Sequence, residues 1–167
     1  MSKLTFKGEP ANTNADLPKV GQTIKFTNLV RNDLSEVSAE TYKGKIKVLN
    51  IFPSIDTGVC ATSVRRFNRV AADLIKNTVV LNISLDLPFA SARFCGAEGI
   101  ENCESLSTFR STFAKDWGLQ LIDSPLKGLL ARAVVILSED DKVIYTELVS
   151  DITKEPNYSA ALQAVPK

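Results

Sequence analysis

Residues 47–84 read KVLNIFPSIDTGVCATSVRRFNRVAADLIKNTVVLNIS. Val48-Leu-Asn-Ile-Phe52 is a short apolar run of the kind that sits in a buried strand. After the loop PSIDTG, Val64, Phe67, Ala71 and Leu74 recur at helical spacing, which predicts an amphipathic helix over 58–75. Thr78-Val-Val-Leu-Asn-Ile-Ser84, rich in β-branched residues, predicts the next buried strand. A strand, a helix and a second strand in succession form a βαβ unit, the building block of a parallel sheet.

Downstream, Pro88 fits a helix start and Gly96, after Phe94-Cys95, fits a helix end. A second helical stretch is expected around Ser107–Trp117, then irregular connection over Gly118–Gly128. Ala133–Leu137 and Val143–Val149 flank Ser138-Glu-Asp-Asp-Lys142, a hairpin signal without the usual glycine. Tyr158–Val165 closes the chain as a short helix. Upstream, Leu4-Thr-Phe6 before Lys7-Gly-Glu-Pro10 suggests an N-terminal hairpin, 11–22 a polar loop, and Thr23–Val30 an edge strand; 32–45 is polar. From residue 47 the order is β-α-β-α-β-β-α. That order predicts an α/β thioredoxin-like fold with a central mixed sheet flanked by helices, extended by the N-terminal β-hairpin. Residues 1–167 read as a single domain.

The chain has 167 residues, 44% hydrophobic and 23% charged, with 20 basic and 19 acidic side chains. A formal charge of +1 advertises neither a nucleic-acid nor an anionic-membrane partner. No stretch approaches the ~20 apolar residues of a membrane span, and the N-terminus lacks a secretory apolar core. The expected address is the cytoplasm, where thiols stay reduced. Cys60, Cys95 and Cys103 are an odd number without a C-x-x-C pair, and the chain has no histidine. A structural zinc site and the Ser-His-Asp and Cys-His nucleophiles are thereby disfavoured.

Cys60 falls at the predicted start of a helix, with Thr57 or Asp56 as a suitable N-cap. A thiolate there gains from unpaired first-turn N–H groups and the helix dipole. Two readings of Cys60 stay open on position alone: a small buried hydrophobe or a reactive thiol. Arg65 and Arg66 follow on the helix, but only tertiary contacts would aim either at the sulfur.

Pro53-Ser-Ile-Asp-Thr57-Gly-Val-Cys60 resembles the P-x-x-x-T-x-x-C signature of the peroxiredoxins. Asn50–Cys60, Asp86-Leu-Pro-Phe89, Arg93-Phe-Cys-Gly-Ala-Glu-Gly99 and Pro125-Leu-Lys-Gly-Leu129 resemble their thiol peroxidase branch, collinearly and over essentially the whole chain. The resemblance implies that Cys60 is the peroxidatic thiol, which attacks the terminal peroxide oxygen and becomes a sulfenic acid. It implies that Thr57 offers its hydroxyl to thiolate and peroxide, that Pro53 shields the nucleophile, and that Arg132 completes the site. Fixed donors and a permanent cation suit a transition state that spreads negative charge over sulfur and oxygen. Read without the resemblance, Thr57 is an N-cap, Pro53 a turn residue and Arg132 a solvated charge.

The same resemblance implies that Cys95 resolves the sulfenic acid as an intramolecular disulfide, reduced in turn by thioredoxin. No cofactor or metal is implied beyond protein thiols, and homodimers are common in the branch. A disulfide needs Cα atoms about 4.4–6.8 Å apart. We expect the reduced cysteines to be farther apart, so that the first turn of the Cys60 helix unwinds. Cys103 departs from the branch pattern and reads as non-catalytic. Asn82 has no evident role beyond satisfying local backbone, and Trp117, Phe89 and Phe94 either line an apolar approach or pack the core. Two other functions compete. A disulfide oxidoreductase would need a second cysteine where Ser63 stands, and a binding or holdase module would keep its function without Cys60.

Overall fold

The computed structural model describes residues 1–74 and 76–167. Lys3–Phe6 (β1) and Glu9–Asn12 (β2) pair antiparallel around Lys7 and Gly8, whose φ angles of 53° and 83° are those of a tight hairpin turn. The expected N-terminal hairpin is present. Leu29–Arg31 (β3) and Glu36–Val37 (β4) are the only strands between it and residue 46 among the described residues, so the edge strand expected at Thr23–Val30 is reduced to its last residues. A 3-10 turn at Ala39–Tyr42 leads into Ile46–Ile51 (β5).

The βαβ unit follows as Gly58–Ala71 (α1) and Thr78–Ser84 (β6), the helix ending four residues short of the predicted 75. Pro88–Glu98 (α2) starts on its proline as expected. It runs through Gly96, however, and ends at Gly99, whose φ of 65° is the left-handed conformation that glycine tolerates. The helix expected at Ser107–Trp117 is instead a strand, Glu104–Ser107 (β7), and a single helical turn, Phe113–Asp116 (α3). Phe113 and Trp117, both buried, supply the helical spacing but only across that turn. Ala133–Leu137 (β8), Val143–Leu148 (β9) and Tyr158–Ala164 (α4) complete the chain.

The main sheet has the order β4-β3-β7-β6-β5-β8-β9. Strands β5, β6 and β7 are parallel; β8 runs antiparallel to them, and β9, antiparallel to β8 in the hairpin, returns to their direction. Because side chains alternate across a strand, Val48, Val80, Val134 and Ile136 face Phe67 of α1 and Ala161 of α4. Leu49, Ile51, Leu81, Ile83 and Val135 face the opposite layer around Phe26, Phe113 and Trp117. Burial on both faces is why β5 and β6 read as continuous apolar runs.

Gly118, at φ 66°, ends α3 where the N-terminal loop crosses it; a Cβ there would stand 2.2 Å from the Asp16 carbonyl oxygen. Gly118→Ala is therefore expected to cost about 1–3 kcal/mol. A lowered denaturant midpoint with an unchanged slope would register it, and an unchanged midpoint would refute it.

Candidate active site

Beyond β5 the chain leaves the sheet through Phe52 and Pro53, both buried. Asp86, just past β6, holds this turn in place. Its carboxylate accepts hydrogen bonds from Ser54 Oγ (2.8 Å), the Ile55 amide (2.7 Å) and Ser84 Oγ (2.6 Å). Thr57 is the extended residue before α1, and its carbonyl accepts from the Ala61 amide. Its hydroxyl donates to the Ser54 carbonyl (3.0 Å) rather than to the sulfur of Cys60. Asp56, the other suitable cap, pairs instead with Arg93 at the surface.

Cys60 is the third residue of α1, where amides lack intrahelical acceptors. It has no exposed surface and packs among Phe52, Ile55, Val64 and Ile100. Arg132 precedes β8 and is only 2% exposed, so it is not the solvated charge that its position alone suggests. Its Nη2 donates to Cys60 Sγ at 3.2 Å and its Nε to the Ile152 carbonyl at 2.9 Å. The remaining Nη1 is buried without a partner among the described residues. Arg132 also lines a cleft of about 340 Å³, together with Phe6, Pro53, Thr57, Val59 and Ile152. Pro53, Thr57 and Arg132, up to 79 positions apart in the sequence, thus share one cleft, and Arg132 links it to the Cys60 sulfur.

The Redoxin family profile matches residues 19–162. A thiol peroxidase of Corynebacterium glutamicum is 56% identical over 165 residues, covering 99% of both chains. A thiol peroxidase of Mycobacterium tuberculosis is 49% identical over the same share. The chain belongs to the thiol peroxidase branch of the Redoxin family. A solved peroxiredoxin-like protein from Aquifex aeolicus superposes with a TM-score of 0.91 at 35% identity, over 98% of this chain and 96% of that one. A thiol peroxidase from Chromobacterium violaceum shares the fold at a TM-score of 0.86 and 22% identity, over 96% and 93%.

All three cysteines of this thiol peroxidase chain are free. Cys95 lies on α2, partly buried against the Cys60 cluster, with its sulfur 3.4 Å from Ser105 Oγ. It does not line the Cys60 cleft; it and Cys103 line a separate one of about 270 Å³. Burial pushes the Cys103 thiol up to about 12, which keeps it neutral and poorly nucleophilic at physiological pH. Arg65 and Arg66 are not aimed at Cys60: Arg65 makes a two-pronged pair with Glu98, and Arg66 lies over the Tyr158 ring.

Asn82 has a different role from the expected backbone partner. It donates to Cys103 Sγ (3.0 Å) and accepts from Asn50 Nδ2 (3.0 Å), its register partner on β5. Asn50 Nδ2 also reaches Ser63 Oγ (3.3 Å), and Ser63 donates to the Cys60 carbonyl (2.8 Å). A buried polar ladder therefore crosses two central strands to the first turn of α1. Ser63 occupies the place of a C-x-x-C partner, so that chemistry is absent here. Of the candidate approach residues, Trp117 packs in the core, Phe94 packs beside Cys95, and Phe89 stands 68% exposed. The cleft wall comes from Phe6 instead. Asp86, Ser63 and Phe6 carried no local signal, although Asp86 sits in the DLPF block.

Proposed function

We propose that this chain reduces hydroperoxides, hydrogen peroxide and organic hydroperoxides alike, through Cys60. The observation that carries the reading is the buried Arg132 guanidinium, which lines the cleft and stands 3.2 Å from the Cys60 sulfur. The thiolate attacks the terminal peroxide oxygen, the O–O bond breaks, and the alkoxide or hydroxide leaves as alcohol or water after taking a proton. Cys60 is left as a sulfenic acid. The unpartnered Nη1 of Arg132 is a donor for the peroxide oxygens, and the half-buried cleft keeps water from competing. Thr57, which lines the cleft, supplies a hydroxyl to the incoming peroxide once it turns from Ser54. Pro53 closes the side toward the sheet.

Cys95 then displaces water from the sulfenic acid to form a disulfide, and a thioredoxin-type dithiol reduces it. Cys60 and Cys95 sit on two separate helices, and in this step the first turn of α1 unwinds to bring the sulfurs together. The reading includes a cytoplasmic homodimer, and needs no cofactor. Among the described residues no group of three His, Cys, Asp or Glu is placed to hold a metal.

The test is consumption of hydrogen peroxide and cumene hydroperoxide with thioredoxin and its reductase. Wild type should turn over, Cys95→Ser should oxidise once and stall, and Cys103→Ser should retain nearly full turnover. Wild-type inactivity with both peroxides would sink the reading. A loss in Cys103→Ser equal to that in Cys95→Ser would transfer the resolving role.

A further inference from the structure

Arg132 is held at Cys60 by a carbonyl, and that carbonyl belongs to a loop with an unusual fastening. Ile152, whose oxygen accepts from Arg132 Nε, follows Asp151. One oxygen of the Asp151 carboxylate accepts from Thr5 Oγ1 (2.7 Å) and the Gly8 amide (3.1 Å), both on the N-terminal hairpin. The other accepts from the Thr153 amide (2.9 Å) and Thr153 Oγ1 (2.5 Å), inside the loop. Four donors converge on one carboxylate, the hydroxyls of Thr153 and Thr5 foremost, and together they hold it far below the usual carboxylate range. Two backbone bonds run beside it, Thr5 amide to Ser150 carbonyl and Ile152 amide to Thr5 carbonyl. The hairpin's apolar side packs on Ala131 and Ile152, the residue before Arg132 and the residue whose carbonyl orients it.

We propose that Asp151 is a positioning residue for peroxide reduction: its carboxylate pins the N-terminal hairpin to the 150–153 loop, and so fixes the Ile152 carbonyl that aims Arg132 at Cys60. The proposal rests on the peroxidase reading of this site. A carboxylate can satisfy all four donors, whereas an asparagine in its place turns an NH₂ toward two of them. Thr5→Val removes one donor and leaves the carboxylate intact. Other charged or titratable groups near Arg132 are Lys7 of the hairpin turn, which lines the same cleft with its ammonium over the Phe6 ring, and Arg66 of α1 and Tyr158 of α4, with Glu155 bonded to Tyr158; none of these side chains bonds to the 150–153 fastening.

The experiment is single-turnover oxidation of Cys60 by hydrogen peroxide and by cumene hydroperoxide. It is run in the full chain for Asp151→Asn, Thr5→Val, Arg132→Met and the Asp151→Asn/Arg132→Met pair. Asp151→Asn should slow oxidation about tenfold with both peroxides, the kinetic equivalent of one misplaced hydrogen bond. Thr5→Val should move it the same way by less. In the Arg132→Met background Asp151→Asn should change almost nothing, because the residue acts through Arg132. An equal fall in both backgrounds would overturn the proposal, as would a fall confined to cumene hydroperoxide, which would make the hairpin only a cleft wall. Unchanged rates with a lowered Tm would reduce the fastening to stability alone. Should Asp151→Asn fail to fold, Thr5→Val, alone and paired with Arg132→Met, carries the same comparison. Alkylation of Cys60 by iodoacetamide should follow the same order of variants. It reads the Arg132–Asp151 coupling even if the wild type consumes no peroxide, an outcome that would remove the peroxidase reading instead.

Discussion

Cys60→Ser is expected to abolish peroxide consumption with every reductant, and Arg132→Met to slow Cys60 oxidation by about a hundred- to a thousandfold. A serine hydroxyl stays protonated where a thiol ionises, so the first variant loses the nucleophile outright. The second loses a cation that touches the sulfur at 3.2 Å and offers a further buried N–H to the substrate. Arg132→Lys should recover little. An ammonium has no planar fork with which to hold the Ile152 carbonyl and the sulfur together. Stopped-flow oxidation at equal folded fraction would measure these effects. Residual turnover in Cys60→Ser, or a fall of less than tenfold in Arg132→Met, would contradict the assignment.

The largest effect on stability is expected from a pair that plays no part in the chemistry. Lys47 of β5 is fully buried, and its ammonium meets the Asp141 carboxylate at 2.6 Å. Asp141→Asn keeps the shape and tolerates the local φ of 61°, but strands a buried cation. It is expected to cost about 3 kcal/mol, roughly 10 °C in Tm. Lys47→Met combined with Asp141→Asn should recover most of that loss, because removing both charges removes the desolvation penalty with the attraction. If the double variant were as unstable as the sum of the singles, the two groups would not be acting as a pair. Peroxide reduction should change little in any of them at temperatures where they are folded.

Asp141 also shows what the sequence does and does not reveal. The β8–β9 hairpin is legible from its two apolar runs, while its turn lacks the expected glycine. Asp141 takes the left-handed position itself, and its carboxylate is held by a lysine 94 positions earlier. Nothing local marks Lys47 as buried. β5 and β6 are legible because burial on both faces makes them continuous apolar runs. β7 is not, because Glu104-Ser-Leu-Ser contains one apolar residue and its polar ones are satisfied from afar: Glu104 by Tyr42 and Arg31, Ser105 by Cys95. In the site, Pro53, Thr57 and Cys60 stand in one contiguous stretch, from the loop after β5 into the first turn of α1, so a short motif captures them. Arg132 is seen only through resemblance to a family, since an arginine before a strand has no signature of burial. Asp86 and Asp151 act on backbone amides and hydroxyls, contacts that leave no trace in spacing.

The fastenings around Cys60 are of two kinds. Arg132, buried at the edge of the cleft, is set by a carbonyl and a sulfur. The helix bearing Cys95 is joined to the Cys60 helix by Arg65–Glu98 and to the turn leading into it by Arg93–Asp56, ion pairs open to water and weakened by salt. On the mechanism proposed above, the molecule is stiff where an oxygen atom must be struck at one angle, and lightly laced where two sulfurs have to travel toward each other.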